Sequence, residues 1–215
     1  MINESFIKVK SSWGHEIVNL YLTQSPKSDS IVILFPGAGY SCDRPILHYA
    51  RKATILSGCD VLSLEYGYFK TSDSFKIEHL NQIIKESYEA VQSAISNSYK
   101  RVYFISKSLG TVVAGEISKL IGYDRVNNLY LTPVSQTIPH IANSKCTVVV
   151  GTKDKFFPNE KIEEIRSYHL VDLRNIHNAT HSLEVDDSYL ESLEILKDVT
   201  NLCADFVSKD DSLIF

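Results

Sequence analysis

The sequence predicts one α/β domain, residues 1–215, built on a mostly parallel twisted sheet of about seven or eight strands flanked by helices. Three observations support this. The chain has 215 residues, a length that suits a single hydrophobic core. Short apolar runs alternate with longer segments whose apolar residues recur every three or four positions, which indicates strand–helix–strand units. Residues 31–35 are apolar throughout, as is typical of a strand buried on both faces of a parallel sheet.

The N-terminal third of the chain is predicted to form two strands before the first crossover unit. Residues 6–10 and 16–22 have strand character with no helix between them, so they predict an antiparallel edge. A helix is predicted over residues 43–57, with Asp43 as its N-cap and Gly58 at its end. The other predicted strands span residues 60–64, 102–105, 126–131, 146–150 and 168–173, and the other predicted helices span residues 77–96, 109–121, 159–167 and 189–207.

Composition and charge are those of an ordinary globular protein. Hydrophobic residues make up 44% and charged residues 22% of the chain, and the formal net charge is −4. Lysine and arginine are scattered, so the basic patch expected of a nucleic-acid-binding protein is missing. No apolar stretch approaches the roughly 20 residues of a membrane-spanning helix. The N-terminal residues also lack the pattern of a secretory signal.

The four cysteines, Cys42, Cys59, Cys146 and Cys203, are far apart in the sequence and form no Cys-x-x-Cys pair. This spacing favours buried free thiols in a reducing compartment over disulfides or a zinc site. We therefore expect a cytoplasmic protein that binds no metal. The oligomeric state is not predictable from the sequence.

One segment passes from a buried strand through a tight turn into a helix. It has the sequence Val-Tyr-Phe-Ile-Ser-Lys-Ser-Leu-Gly-Thr over residues 102–111. Ser108 stands at the turn, with the small residues Ser106 and Gly110 two positions before and after it. Such a turn holds a serine hydroxyl clear of the backbone, and small neighbours let strand and helix approach closely. The segment predicts a nucleophilic serine, although Ser108 taken alone is equally well explained as a helix N-cap.

A nucleophilic serine needs a base, and the base needs an orienting carboxylate. In this architecture the acid and then the histidine follow the serine along the chain. Asp154 follows the predicted strand at residues 146–150, and His181 lies between the last strand and the last helix. We therefore predict Ser108, Asp154 and His181 as a catalytic triad. Asp154 could instead be a turn residue, His181 could be an exposed loop residue, and His177 is a rival base closer to the preceding strand.

A tetrahedral oxyanion would need two backbone donors near the serine. The first predicted donor is the N–H of Leu109, which directly follows Ser108. The second is expected from the loop Pro-Gly-Ala-Gly-Tyr at residues 36–40, with Ala38 as the first choice and Gly39 as the alternative. The glycines of this loop could also serve only to turn the chain.

These segments resemble the α/β-hydrolase superfamily in its serine-esterase branch, over roughly residues 31–207. The matching segments are Pro-Gly-Ala-Gly-Tyr, Ser-Lys-Ser-Leu-Gly-Thr, Gly-Thr-Lys-Asp and Thr-His-Ser-Leu. The chain looks most like the compact members without a lid, because residues 132–144 leave no room for a helical cap. Two positions depart from the common pattern. Ser106 replaces the glycine that usually stands two positions before the nucleophile, and Pro36 replaces the histidine that commonly opens the oxyanion loop.

The resemblance implies acyl transfer to water through an acyl-enzyme on Ser108, with no cofactor. The implied substrate is a small to medium carboxylic ester or thioester, with amide or peptide hydrolysis as an alternative. A non-catalytic binding protein of the same fold is the other alternative, and the presence of all three triad candidates argues against it. Tyr40, Tyr66 and Phe156 are expected at the active edge, where each would either bind substrate or pack beneath the loops.

Overall fold

The computed structural model describes residues 1–71, 74–96 and 99–208. One sheet of eight strands runs through the molecule in the order β1-β2-β4-β3-β5-β6-β7-β8, which confirms the predicted α/β fold class. The strands are β1 (Ile2–Lys10), β2 (Glu16–Gln24), β3 (Ser30–Phe35), β4 (Asp60–Ser63), β5 (Arg101–Lys107), β6 (Asn127–Leu131), β7 (Cys146–Gly151) and β8 (Val171–Ile176). The helices are α1 (Pro45–Leu56), α2 (Leu80–Ile95), α3 (Leu109–Ile121), α4 (Ile138–Asn143), α5 (Asn159–Arg166) and α6 (Tyr189–Ser208).

The sheet is parallel from β4 to β8 and antiparallel at one edge. Strands β1 and β2 pair antiparallel to each other, as their direct connection in sequence predicts, and β2 also pairs antiparallel to β4. The remaining neighbours pair in parallel. The C-terminal ends of β3, β5, β6, β7 and β8 therefore meet at one edge of the sheet, where ligand sites of such folds lie.

Helices cover both faces of the sheet because the central strands are apolar on both sides. All six residues of β3 are buried. Ile31, Ile33 and Phe35 point into the cluster that α2 and α3 cover. Val32 and Leu34 point into the cluster that α1 and α6 cover on the opposite face.

Three of the differences from the sequence-based expectation have a clear physical reason. The last strand begins at Val171 rather than at residue 168, because residues 168–171 form a turn in which the carbonyl of Tyr168 accepts from the N–H of Val171. Helix α4 was not predicted, since six residues are too few to show a helical period. Asp43 does not cap α1: its carboxylate binds Arg51 at 2.8 Å, and Arg44 occupies the N-cap position without a side-chain bond.

The connection from β6 to β7 holds only a single 3₁₀ turn and α4, so no separate cap domain covers the sheet edge in the part of the chain that the structure describes. The described helices include none with the length and apolar character needed to cross a membrane. All four cysteines are buried and unpaired, as the sequence predicts.

Candidate active site

Ser108 is the single residue between β5 and α3, and its backbone is strained. It adopts φ 53° and ψ −121°, a left-handed conformation that costs a non-glycine residue about 1–3 kcal/mol. It occupies the N-cap position of α3, but its side chain makes no capping hydrogen bond to that helix, so capping alone does not explain this serine. Its N–H donates to the carbonyl of Leu131 at the end of β6, at 3.1 Å. The turn thus directs the hydroxyl away from the helix.

A continuous hydrogen-bond chain links the three residues that the sequence singles out. Ser108 Oγ lies 2.8 Å from His181 Nε2, and His181 Nδ1 lies 2.7 Å from Asp154 Oδ2. An ionised carboxylate only accepts hydrogen bonds, so Nδ1 carries the ring proton and Nε2 is left to accept from the serine hydroxyl. One hydrogen-bond chain therefore connects residues that are 73 and 27 positions apart in the sequence.

Asp154 is fixed at both oxygens. Its side chain is fully buried, and Oδ1 accepts from the N–H of Phe156 at 2.8 Å while Oδ2 faces His181. Its own N–H donates to the carbonyl of Gly151 at 3.0 Å, so Asp154 is also a turn residue. Its turn role and its place beside His181 are therefore compatible.

The loop that carries His181 is anchored to the segment that follows β7 and is closed by its own backbone bonds. The N–H of Lys153 donates to the carbonyl of Ala179 at 2.9 Å, and the N–H of Thr180 donates to the carbonyl of Glu184 at 2.9 Å. His177, the rival base, is exposed just after β8 and lies outside the chain from Ser108 to Asp154.

Backbone strain is concentrated around this site. Among the described non-glycine residues, four have a positive φ, and all four lie at the C-terminal edge of the sheet. Strain of this kind persists only where the surroundings fix the backbone, and it is frequent at functional sites. The four residues are Ser108, Thr132 after β6, and Asn178 and Leu183 on either side of His181.

The predicted oxyanion donors are free to bind a ligand. Within the described ranges, no protein acceptor is found for the N–H of Leu109, Ala38 or Gly39. The N–H of Gly37 is already engaged by the carbonyl of Tyr40 at 2.9 Å. The loop also lies close to the serine, since a Cβ at Gly37 would stand 3.4 Å from Ser108 Cβ.

A tyrosine that the sequence analysis did not assign fixes the oxyanion loop. Tyr68 Oη donates to the carbonyl of Ala38 at 2.6 Å, and this carbonyl belongs to the peptide that carries the N–H of Gly39. Tyr68 is itself buried. No local pattern reveals this contact, because the two residues are 30 positions apart.

Lys107 is a second residue that the sequence analysis did not assign, although it stands directly before Ser108. It is 2% exposed. Its Nζ donates to Thr132 Oγ1 at 2.9 Å and to the carbonyl of His181 at 2.8 Å, and it lies over the ring of Tyr40. Burial lowers the pKa of Lys107 to about 8. A lysine as the last residue of a strand whose preceding residues are mostly buried is the sequence signal for this site.

The three expected substrate contacts occupy different environments. Phe156 is 63% exposed, and its ring centroid lies 4.7 Å from that of His181. Tyr40 borders a cavity of about 520 Å³ beside the His181 loop, and burial raises the pKa of its phenol. Tyr66, in contrast, is 2% exposed and packs against Tyr68 in the core, so its side chain does not line an open pocket.

Solved structures of similar fold include several hydrolases. XC6422 of Xanthomonas campestris, an α/β serine hydrolase without lid, aligns with a TM-score of 0.72 at 11% identity, over 96% of this chain and 94% of that chain. The esterase Pf2001 of Pyrococcus furiosus aligns with a TM-score of 0.69 at 12% identity, over 96% and 92% of the two chains. Est1E of Butyrivibrio proteoclasticus, solved with ferulic acid bound, aligns with a TM-score of 0.71 at 13% identity, over 94% and 100%.

Sequence comparison agrees with the fold. Comparison with curated proteins finds no match. The family described as "Alpha/beta hydrolase domain" matches residues 28–208, which include every strand from β3 to β8 and all three residues of the hydrogen-bond chain. The chain therefore belongs to the α/β-hydrolase family.

Proposed function

We propose that this protein is a serine hydrolase that cleaves a carboxylic ester or thioester through an acyl-enzyme on Ser108. The observation that carries the proposal is the unbroken hydrogen-bond chain from Ser108 through His181 to the buried Asp154. The strained backbone at Ser108 supports it, as do the N–H groups of Leu109 and Ala38, for which no acceptor is found among the described residues. Within the described residues, no group of three or more metal-binding side chains offers a metal-centred alternative.

The proposed reaction has two halves. In the first, His181 Nε2 takes the proton of Ser108 as the serine oxygen attacks the carbonyl carbon, and the oxyanion accepts from Leu109 and Ala38. The imidazolium then gives its proton to the departing alcohol or thiol. In the second, water attacks the acyl carbon, and His181 takes the water proton and returns it to the serine oxygen, which releases the carboxylic acid.

The surroundings of the site favour a substrate of small to medium size. A cavity of about 520 Å³ beside the His181 loop, lined by both apolar and polar side chains, would receive one arm of such a substrate. The exposed ring of Phe156 adds an apolar surface next to the imidazole. One protein of similar fold is named an esterase and another a serine hydrolase without lid, which supports an ester substrate and an open site here.

The decisive experiment is labelling with a serine-reactive fluorophosphonate, followed by peptide mass spectrometry. We expect the label on Ser108 in the wild type and none in Ser108→Ala, while Ser93→Ala, an exposed serine on α2, labels like the wild type. Turnover of ester substrates should fall at least about 10⁴-fold in Ser108→Ala. A folded wild type that does not label would instead favour a binding role.

The base assignment is tested by a matched pair of histidines four positions apart. His181→Gln should slow fluorophosphonate labelling strongly, because Ser108 then has no base within hydrogen-bond distance. His177→Gln should label at the wild-type rate, because this exposed ring lies outside the chain. The opposite result would make His177 the base. Rates on an ester, a thioester and an anilide with the same acyl group then decide the substrate class.

A further inference from the structure

Lys107 is a buried cation that the proposed acyl transfer does not use. Its residue surface is 2% exposed, although lysine is almost never fully buried unless it is paired. The Asp154 and Glu184 carboxylates face it and favour its charged form, yet burial outweighs them and lowers its pKa. Burying this charge is therefore unfavourable in itself, and its presence beside the nucleophile calls for a functional explanation.

The three N–H donors of the ammonium group match three partners. Nζ lies 2.9 Å from Thr132 Oγ1, 2.8 Å from the carbonyl oxygen of His181 and 5.0 Å from the centroid of the Tyr40 ring. A methionine of similar length would offer no donor, and a neutral amide would offer two in one plane. The site is thus suited to an ammonium group.

These partners belong to separate loops at the sheet edge. Thr132 follows β6 with φ 44°, an uncommon conformation for a β-branched residue, and its N–H donates to the carbonyl of Val149 at 2.7 Å. Tyr40 ends the oxyanion loop, and the imidazole of His181 is the proposed base. Lys107 itself is the last residue of β5. One side chain therefore connects four segments that surround the serine.

We propose that Lys107 is a positioning residue that ties the carbonyl of His181 to the ends of β5 and β6 and so holds the imidazole within reach of Ser108. The tie rests on the hydrogen bonds described above. Its consequence for catalysis rests on the proposed serine hydrolase function. Lys107 does not touch the reacting atoms. It acts through the backbone of the residue that does.

The tie is tested first without any catalytic readout, by hydrogen–deuterium exchange of the His181 loop. Lys107→Met keeps an unbranched side chain only one atom shorter and removes its donors, and Lys52→Met on the exposed side of α1 is the matched control. The N–H groups of Thr180 and Leu183, which bond within the loop, should exchange faster in Lys107→Met than in the wild type or in Lys52→Met. Equal exchange in all three proteins would overturn the proposal.

The catalytic consequence is tested by chemical rescue. Lys107→Ala should lower the rate of fluorophosphonate labelling and kcat by about 10- to 100-fold, with KM nearly unchanged, because two hydrogen bonds from a charged group are lost. Added propylammonium should restore part of the rate by occupying the vacated space, whereas 1-propanol, which has the same carbon chain without the charge, should not. Tetramethylammonium at the same concentration controls for ionic strength.

The outcomes separate this proposal from the proposed function. A wild type that does not label counts against the hydrolase, and the exchange experiment still decides whether the tie exists. If the wild type labels, and Lys107→Met and Lys107→Ala label as fast as the wild type, the positioning role is overturned. Equal rescue by 1-propanol and propylammonium also overturns it, since the side chain would then only fill space.

Discussion

The polar contacts that shape the candidate site are made to backbone carbonyls as well as between side chains. Lys107 Nζ donates to the carbonyl of His181, and Tyr68 Oη donates to the carbonyl of Ala38. Each contact fixes a loop that has no regular secondary structure. The loop of His181 and the predicted oxyanion loop are thereby fixed by residues that have no contact with the reacting atoms in the proposed mechanism.

Replacing Tyr68 with phenylalanine should weaken the oxyanion loop without opening a cavity. The change removes the donor to the carbonyl of Ala38, a hydrogen bond of 2.6 Å, and leaves this partly buried carbonyl without that partner. One hydrogen bond contributes about 0.5–1.5 kcal/mol, so kcat should fall about 2- to 10-fold, with a smaller change in KM. Steady-state kinetics on an ester substrate measures both constants.

Tyr66→Phe is the matched control for that substitution. The hydroxyl of Tyr66 is buried and finds no hydrogen-bond partner among the described residues, so its removal breaks no contact there. We expect wild-type kinetics and an unchanged or slightly higher Tm. If Tyr68→Phe and Tyr66→Phe lower kcat equally, the loss comes from the aromatic cluster in general and not from the bond to Ala38.

At the level of elements, the site depends on how closely α3 packs against the end of β3. Gly110 permits that approach, because a Cβ at this position would lie 2.4 Å from the carbonyl oxygen of Pro36 and 2.5 Å from that of Phe35. Both obstacles are backbone atoms, which cannot rotate away. The glycine that follows the serine by two positions therefore sets the distance between the elbow and the oxyanion loop.

Gly110→Ala should displace the first turn of α3 and reduce both stability and activity. Overpacking costs about 1–3 kcal/mol. Gly115→Ala on the same helix is the comparison, since a Cβ there would lie 2.4 Å from the ring of His140, away from the serine. Urea denaturation should show both variants destabilised. Under conditions where both variants are folded, only Gly110→Ala should lose activity. An equal loss of activity in both variants would mean that displacing α3 next to Ser108 has no specific effect.

The sequence predicts elements best where period and boundary residues agree. Helix α3 has the predicted bounds, because Ser108 and Gly122 mark both ends of an apolar segment. Helix α6 has the predicted extent, but Leu190 and Leu193 are 62% and 57% exposed although their spacing places them on the apolar face. The first turns of α6 border the cavity rather than the sheet, and a local pattern does not distinguish these two surroundings.

The sequence predicts the candidate triad better than the residues that support it. Ser108, Asp154 and His181 each follow a recognisable strand in a fixed order, and the parallel sheet then brings them together. Lys107 and Tyr68 act on carbonyls 74 and 30 positions away, so only the folded chain reveals their partners. Tyr66 was expected at the site because it lies in an aromatic loop, yet such loops also fill space beneath the surface.

For the whole molecule, the buried charge at Lys107 links the site to global stability. Burying a charge is unfavourable, and no ionised partner lies within hydrogen-bond distance in the described part of the chain. The buried thiols respond to pH in the opposite direction, because burial raises the pKa of Cys59 to about 11 and that of Cys146 to about 12. A pH experiment on the wild type alone therefore mixes several groups.

Comparison with Lys107→Met isolates the lysine, since both proteins share every other titrating group. The pKa of Lys107 is about 8 in the folded protein against an ordinary value of 10.5, so the unfolded chain binds the proton more tightly. Stability rises with pH wherever the unfolded state holds more protons. The free energy of unfolding of the wild type, relative to Lys107→Met, should therefore be constant below about pH 7 and rise above pH 8, by up to about 3 kcal/mol near pH 10.5. Urea denaturation of both proteins from pH 6.5 to pH 9.5 measures this difference. A difference that stays flat with increasing pH would mean that the fold does not disfavour the charge of Lys107, and a difference that falls would mean that the fold favours the charged form.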